Sequence, residues 1–252
     1  MSDFYESDRA VSEYLLFHYG TAGEVLPWSS GPVEGLDYPV RCVEELLDAG
    51  SLPDPSSALD LGCAAGRSTF QLARYCESVL GIDFSARFVA ECQALQNKGR
   101  RGFDYVVEGG LTVSTEAVVD HDTDRTRVRF EQGDACGLRG DLGRFDVVLM
   151  ANLLCRLPDP DACLGRMAGL IPSGGQLLIT TPCTWMEDYT PRERWLGGFH
   201  RDGKPVRTLD SLKERLTPDF ELEIRRDMPF LIREHERKFQ WTVAQGTRWR
   251  RR

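Results

Sequence analysis

A buried strand that ends in a glycine turn constrains the fold of this chain more than any other feature. The segment A-L-D-L-G-C-A-A-G-R, Ala58–Arg67, runs from an apolar stretch into a Gly-x-x-x-Gly turn. A helical pattern follows, with Phe70 and Ala73 on its inner face. Glycine permits both a sharp turn and the close approach of a ligand to backbone N–H groups at a helix N-terminus. The turn lacks the central glycine of the dinucleotide fingerprint G-x-G-x-x-G, so a pyrophosphate is not the expected ligand.

Strands and helices alternate from Ser57 onward, which is typical of a parallel sheet covered on both faces. The predicted strands are Ala58–Leu61, Ser78–Ile82, Val128–Glu131, Val147–Met150 and Gln176–Thr181. The clearest predicted helix is Asp159–Leu170, and another lies near Thr208–Leu216. Two strand-like stretches then follow each other without a helix, Glu221–Arg226 and Lys238–Ala244. They predict an antiparallel edge hairpin and hence a mixed sheet.

Two helices are predicted before the sheet, and we expect residues 1–50 to form a helical cap or lid. The first helix begins after Ser7, and the second begins after Asp37 and stops at Gly50. The remaining residues, 51–252, are predicted to be one α/β domain that forms a single structural unit with the cap. About fifty residues separate the second predicted strand from the third, more than a simple crossover needs, so an insertion with a surface hairpin is expected at residues 99–127.

Composition and charge limit the classes of partner. The formal net charge of −8 argues against nucleic acid, and the terminal basic run R-W-R-R-R is predicted to be a solvated tail. No run of about 18 apolar residues and no secretory leader is apparent, so we expect no membrane partner and a cytoplasmic protein. The 8 cysteines and 4 histidines lie apart, without the paired spacing of metal ligands. Reduced, mostly buried thiols and no metal are therefore expected.

Two carboxylates follow predicted strands. Asp83 comes after the second strand in V-L-G-I-D-F-S, about twenty residues beyond the glycine turn, where a carboxylate accepts both hydroxyls of a ribose. A carboxylate at this position is also found in dinucleotide-binding oxidoreductases. Asp134 follows the third strand in F-E-Q-G-D-A-C.

Taken together, these motifs resemble those of the class I S-adenosylmethionine methyltransferases. D-L-G-C-A-A-G, G-I-D-F-S, G-D-A-C, F-D-V-V-L-M-A-N-L-L and P-S-G-G-Q-L-L-I-T occur in that family's order between Ala58 and Thr181. The resemblance implies a Rossmann-like α/β fold with a seven-stranded, mostly parallel sheet, an antiparallel edge hairpin and an N-terminal helical cap. It also implies S-adenosylmethionine as cofactor and S-adenosylhomocysteine as product.

The same resemblance implies which residues contact the cofactor. In the family, the residue at Asp134 accepts from the adenine amino group and the N–H at Ala135 donates to the ring. The implied cofactor-binding residues are Asp60, Gly62, Cys63, Ala64, Gly66, Asp83, Phe84, Asp134, Ala135 and Asn152. Two alternatives stay open: Asp60 instead orients the glycine turn through backbone N–H groups, and Asn152 instead caps a turn.

A narrower resemblance covers nearly the whole chain. The segments D-R-A-V-S-E-Y-L-L-F-H-Y-G, D-Y-P-V-R-C, T-P-R-E-R-W-L-G-G-F and R-K-F-Q-W-T-V-A are similar to those of the mercaptohistidine N1-methyltransferases of ovothiol biosynthesis. These occur alone or fused behind a sulfoxide synthase, and this chain resembles the stand-alone form. The resemblance implies a thiol-imidazole substrate, methylation of a ring nitrogen of 5-mercaptohistidine to give ovothiol A, and a functional link to sulfoxide synthase and lyase steps. The chain departs from the family's usual glycine turn at Ala64 or Ala65, where another small residue is common.

Further candidates concern the acceptor. Asn152 and Trp185 are candidate catalytic residues, and Tyr38, Arg41 and Trp241 are candidates for contacting the substrate or a carboxylate of the cofactor. For the tryptophans the alternative is core or hairpin packing, and for Arg41 it is an exposed helical position. Because a neutral imidazole nitrogen is already nucleophilic near neutral pH, no dedicated strong base is expected.

Three other functions remain open from the sequence. One is a class I methyltransferase with a different small-molecule acceptor. Another is an NAD(P)-dependent oxidoreductase, which the missing central glycine disfavours. The third is a non-catalytic nucleotide-binding module.

Overall fold

The computed structural model describes residues 3–252, with side chains described from Tyr5 onward. The helices are α1 Asp8–Tyr19, α2 Ala22–Val25, α3 Tyr38–Glu44, α4 Arg67–Leu72, α5 Ala86–Lys98, α6 Pro160–Leu170 and α7 Thr208–Leu216. The first strands are β1 Ser57–Leu61, β2 Ser78–Asp83, β3 Arg100–Glu108, β4 Leu111–Val118, β5 Val128–Gln132 and β6 Val147–Ala151. The others are β7 Gln176–Thr181, β8 Phe199–Arg201, β9 Lys204–Val206, β10 Phe220–His235 and β11 Lys238–Arg251.

A seven-stranded sheet organises the fold, in the order β10-β11-β7-β6-β1-β2-β5. Five neighbouring strands, from β7 to β5, are parallel. Strand β11 runs antiparallel to both β7 and β10. The predicted Rossmann-like fold, with a mostly parallel sheet and an antiparallel hairpin at its edge, is confirmed.

Local capping explains where the helices start. Ser7 accepts a hydrogen bond from the N–H of Ala10 at the start of α1, and Asp159 accepts from the N–H of Ala162 at the start of α6. The second predicted helix is shorter than expected, because α3 ends at Glu44 and does not reach Gly50. Beyond it, the backbone N–H of Asp48 donates to the Gln176 side chain, which donates back to the Asp48 carbonyl. This tertiary pair replaces the helical hydrogen bonds there.

The expected insertion is a long two-stranded hairpin, β3 and β4, which spans most of residues 99–127. It packs on the rest of the molecule: the Ser12 hydroxyl of α1 donates to the Asp104 carbonyl, and the Arg233 guanidinium of β10 lies 5.1 Å from the centre of the Tyr105 ring. The hairpin therefore supports the first helix and the edge of the sheet.

The segment R-W-R-R-R is not a solvated tail, and that prediction is wrong. It forms the end of β11, where Trp249 is 0% exposed and donates through Nε1 to the Thr247 hydroxyl at 3.0 Å. Arg250 pairs with Asp48 at 2.8 Å and with Glu223 at 2.9 Å. Alternation along the strand buries the tryptophan and directs the arginines toward carboxylates.

The N-terminal helices share one hydrophobic core with the sheet. Val11 and Leu15 of α1 and Val43 of α3 are buried in the same cluster as Ala58 and Leu149 of the sheet. Residues 3–50 therefore stabilise the fold as well as covering one side of it. All eight cysteines are free, and Cys183 is exposed. Within residues 3–252 no helix is long and apolar enough to cross a membrane.

Two tryptophans on β11 test this arrangement. Trp249→Ala should cost about 3–5 kcal/mol of the free energy of unfolding, because it empties a fully buried site. Trp241→Ala should change it by less than about 0.5 kcal/mol, because Trp241 is 54% exposed. Urea unfolding followed by circular dichroism measures both. Equal losses in the two variants would contradict the described pairing of β11.

Candidate functional site

A cavity of about 600 Å³ opens at the carboxyl ends of the parallel strands. Its walls include residues that follow β1, β2, β5, β6 and β7, with side chains of α1 and of the β10–β11 hairpin over them. The chain order reverses at β1, since β2 and β5 lie on one side and β6 and β7 on the other. Ligands of open α/β sheets bind outside the carboxyl ends of the strands at such a reversal.

The glycine turn forms one end of this cavity. Gly62 has φ 73°, and a Cβ there would lie 2.7 Å from Cδ1 of Leu153. Ala64 also has a positive φ, 46°, which is uncommon for a residue with a side chain. Its backbone N–H donates to Oδ2 of Asp83 at 2.8 Å. Asp83 thus holds the turn in a conformation that the residues of the turn do not favour by themselves.

Asp60 places a buried carboxylate beside the turn. It is 1% exposed and lines the cavity. Its Oδ2 accepts from the Thr69 hydroxyl at 2.7 Å, whereas its Oδ1 has no partner among the described residues. Burial raises the pKa of Asp60 to about 7, and the neighbouring Asp83 adds to the effect. Asp83, rather than Asp60, accepts from the turn's N–H groups, so the alternative role of Asp60 is not the one that the structure shows.

Asp83 ends β2 and faces the same cavity. Its two oxygens accept from the N–H groups of Ser85 and Ala64, at 2.9 and 2.8 Å. Burial nevertheless raises the pKa of Asp83 above the ordinary aspartate value. Each carboxylate oxygen can accept more than one hydrogen bond, so both retain capacity for a ligand hydroxyl. The ring of Phe84 is exposed and lines the adjoining wall.

The end of β5 supplies the next part of the wall through Gly133 and Ala135. Asp134, between them, does not line the cavity. Its side chain is exposed, and its Oδ1 accepts from the N–H of Cys136 at 2.8 Å. Gly133 and Ala135 therefore form this part of the wall, and the expected contact of the Asp134 carboxylate with the cofactor is corrected, because that carboxylate lies outside the cavity wall and caps the N–H of Cys136.

Asn152 follows β6 with φ 54°. Its Oδ1 lies 2.9 Å from the Tyr38 hydroxyl and 3.0 Å from the Thr180 hydroxyl. Those two hydroxyls also contact each other at 2.8 Å. Asn152 lines the cavity, and its amide oxygen is held by these two hydroxyls. Tyr38 is thereby a buried positioning residue for Asn152 and does not close over a carboxylate.

Three candidates from the sequence lie outside the cavity. Arg41 pairs with Glu45 at 2.6 Å and donates to backbone carbonyls, including that of Pro229 at 2.9 Å. Trp185 is buried and donates to the Thr208 hydroxyl at 2.9 Å. Neither residue lines the cavity, and neither does Trp241, which lies on the opposite face of β11 from Gln240 and Thr242. The interpretations of these three residues as site residues are corrected accordingly. Gly66 shapes the turn from outside the cavity wall.

Several cavity residues were missed by the sequence analysis, namely Glu13, Tyr14, His18, Arg156 and Tyr189. Tyr14 and His18 belong to the apolar stripe of α1, which is hard to distinguish from core packing. His18 accepts at Nδ1 from the N–H of Arg67, and burial, with the charge of Arg67, lowers the pKa of His18 to about 3. Arg156 follows Asn152 in the turn after β6. It could have been predicted, because ligands of open α/β sheets bind at the carboxyl ends of the strands.

These observations fit S-adenosylmethionine. The unpartnered Oδ1 of Asp60 suits a buried ammonium group, Asp83 suits vicinal hydroxyls, and Gly133 and Ala135 line the wall after β5, where a purine would lie. Glycine at position 62 leaves room for close approach of the ligand to the turn.

Comparisons with known proteins agree with this fit. The chain matches the family described as "Methyltransferase domain" over residues 37–224. Ajmaline N-methyltransferase of Rauvolfia serpentina is 24% identical over 203 residues, 78% of this chain. The ubiquinone biosynthesis O-methyltransferase of Xanthomonas axonopodis pv. citri (strain 306) is 25% identical over 150 residues, 60% of this chain. The chain spans 61% and 52% of the lengths of these two curated relatives.

Solved structures share the fold. The N-methyltransferase NodS from Bradyrhizobium japonicum WM9, in complex with S-adenosyl-L-homocysteine, superposes with a TM-score of 0.57 at 16% identity over 99% of both chains. A SAM-dependent methyltransferase from Methanosarcina mazei gives 0.53 at 18% identity, over 80% of this chain and 95% of the other. The family match decides against the nicotinamide oxidoreductase. The chain therefore belongs to the methyltransferase-domain family and has the Rossmann-like fold of class I methyltransferases.

Proposed function

We propose that this chain methylates a ring nitrogen of 5-mercaptohistidine, giving ovothiol A and S-adenosylhomocysteine. One observation supports this acceptor above all. Three of the four segments that carry the narrower resemblance place side chains in the cavity: Glu13 and Tyr14 from the first, Tyr38 from the second, and Gln240 and Thr242 from the last. The residues that distinguish the resemblance are thus next to the cofactor end, where an acceptor would bind.

The cofactor end offers groups for three parts of its ligand. S-adenosylmethionine, when bound, supplies an electrophilic methyl group on a sulfonium sulfur. Asp60 would accept from its ammonium group, Asp83 from its ribose hydroxyls, and the backbone at Gly133 and Ala135 would contact its adenine. Asn152, fixed by Tyr38 and Thr180, also lines the cavity and would donate to a ligand through its NH₂ group.

The acceptor end is mostly aromatic. Tyr14, Phe17, Tyr189 and Phe230 line it and keep water from the reacting groups. His18 is a poor proton acceptor, because its Nδ1 already receives the Arg67 N–H and its pKa is lowered to about 3. A neutral imidazole nitrogen needs only orientation and a dry site to attack a methyl group, so the absence of a strong base in this part of the described chain suits the proposed acceptor.

A competition assay tests the proposed acceptor. The protein is given S-adenosylmethionine with equal 5-mercaptohistidine, histidine and ergothioneine, and products are identified by mass spectrometry and NMR. We expect 5-mercaptohistidine to be methylated at a ring nitrogen. A site that pairs the thiol leaves polar groups unmatched when histidine binds, so histidine should be poorer by several orders of magnitude. Methylation at sulfur, or preference for histidine, would overturn the acceptor and leave the family unchanged.

A pair of aspartates tests the cofactor end. Asp83→Ala should weaken S-adenosylhomocysteine binding by about 2–3 kcal/mol, because two hydroxyls lose a charged acceptor. Asp134→Ala should weaken it much less, because the Asp134 carboxylate lies outside the cavity wall. Calorimetry measures both, and circular dichroism checks that each variant is folded. Unchanged affinity in folded Asp83→Ala would show that the ribose binds elsewhere.

The pH dependence of cofactor binding tests Asp60. Its pKa in the free protein is about 7, above the ordinary 3.8, so the carboxyl group is neutral below pH 7 and charged above it. A cation binds the charged form, so the affinity for S-adenosylhomocysteine should fall about tenfold between pH 8 and pH 6. Asp60→Asn should bind more weakly at pH 8 and lose this component of the pH dependence.

The same variant gives a control for folding. Because the pKa of Asp60 is higher in the folded state than in the unfolded state, ionisation of Asp60 lowers the free energy of unfolding as pH rises from about 4 through about 7. Asp60→Asn should therefore be at least as stable as the wild type at pH 8. An identical pH profile of binding in the wild type and in Asp60→Asn would refute the assignment.

A further inference from the structure

We propose that Arg156 binds the α-carboxylate of the acceptor and so makes the enzyme selective for an intact amino acid; this rests on the proposed function. Arg156 follows β6 in the segment N-L-L-C-R-L and lines the cavity. It is half-buried, and its side chain belongs to the wall formed with Tyr5, Tyr14 and Tyr189.

The guanidinium group of Arg156 is held in place without a carboxylate. Its Nη1 donates to the carbonyls of Cys155 and Thr184, at 3.1 and 3.0 Å. Its central carbon lies 4.7 Å from the centre of the Tyr189 ring, and the guanidinium also donates to the Tyr5 hydroxyl oxygen. No Asp or Glu of the described residues forms an ion pair with Arg156. The nearby titratable groups are Cys155, Tyr5 and Tyr14, which are neutral at pH 7.

Charge in the cavity is distributed unevenly. Among the described lining residues Arg156 is the sole lysine or arginine, whereas Glu6, Glu13, Asp60 and Asp83 are acidic. An amino-acid ligand brings a carboxylate that needs a cation or backbone donors. Because Nη1 is committed to two backbone carbonyls, a carboxylate would accept from the other N–H groups of the guanidinium, which also has the Tyr5 hydroxyl as a partner.

The cofactor has a carboxylate too, but its expected position lies elsewhere. Asp60 and the glycine turn mark the amino-acid end of the cofactor, and His18 covers the start of α4 there through its bond with the Arg67 N–H. Arg156 instead follows β6 and is bonded to the Thr184 carbonyl in the segment after β7, which lies on the opposite side of β6 from β1 and its glycine turn. The acceptor is therefore the ligand whose carboxylate Arg156 meets.

A substrate comparison tests this assignment. Initial rates are measured for 5-mercaptohistidine and for its decarboxylated analogue, a mercaptoimidazole with an aminoethyl chain, using the wild type, Arg156→Gln and Arg156→Lys. Arg156→Gln should lower kcat/KM for 5-mercaptohistidine by about 10- to 100-fold, as expected when a charged hydrogen-bonding partner is removed. For the analogue, kcat/KM should change by less than about threefold, because the group that Arg156 binds is missing. Arg156→Lys should restore part of the loss.

Arg166→Gln is the matched control. Arg166, in α6, also donates to backbone carbonyls, at Leu138 and Arg139, but lies outside the cavity. It should leave both rates and S-adenosylhomocysteine affinity unchanged. Equal loss with both acceptors in Arg156→Gln, or weaker S-adenosylhomocysteine binding, would overturn the inference. If the wild type methylates neither acceptor, the proposed function fails and the inference fails with it. If the wild type methylates 5-mercaptohistidine but does not prefer it to the decarboxylated analogue, the inference alone is overturned.

Discussion

The burial of the Asp60 carboxylate at the end of β1 is the constraint on which the site depends. One of its oxygens is held by Thr69, and the other is buried without a partner among the described residues. Leaving a buried acceptor unpaired costs free energy, which a cationic donor would recover. Asp83 lies next to it and fixes the glycine turn through the Ala64 N–H. The unpaired Asp60 oxygen therefore lowers the stability of the free protein, and both carboxylates are placed to bind the cofactor.

The acceptor end is built from elements that also stabilise the fold. Tyr38 packs against Phe230 of the edge hairpin, with ring centres 4.8 Å apart, and its hydroxyl orients Asn152. Helix α1 contributes Val11 and Leu15 to the core and Tyr14 to the cavity. The N-terminal helices are therefore not a detachable lid, and substitutions there will affect stability as well as selectivity.

Much of the fold and of the cofactor end could be predicted, because strand periodicity and strand ends are local properties of the sequence. Asp83 was identified from its place after a predicted strand, Asp60 and Asn152 were candidates through the family resemblance, and all three line the cavity. Trp241 was misinterpreted because the face of the sheet on which a residue lies depends on strand register. The pairing of β11 with β7 and β10 decides that register. Arg41 was misinterpreted because its guanidinium bonds to Glu45 and to the Pro229 carbonyl. Trp185 was misinterpreted because it is buried against the Thr208 hydroxyl, a contact that tertiary packing decides.

A crystal structure with S-adenosylhomocysteine tests the central claim most directly, namely that this cavity holds the cofactor beside an acceptor chamber. We predict that the ligand ammonium contacts Oδ1 of Asp60, that both ribose hydroxyls contact Asp83, and that the sulfur faces the space between Asn152 and Arg156. A ligand bound outside this cavity, or one that leaves Oδ1 of Asp60 without a partner, would contradict the account.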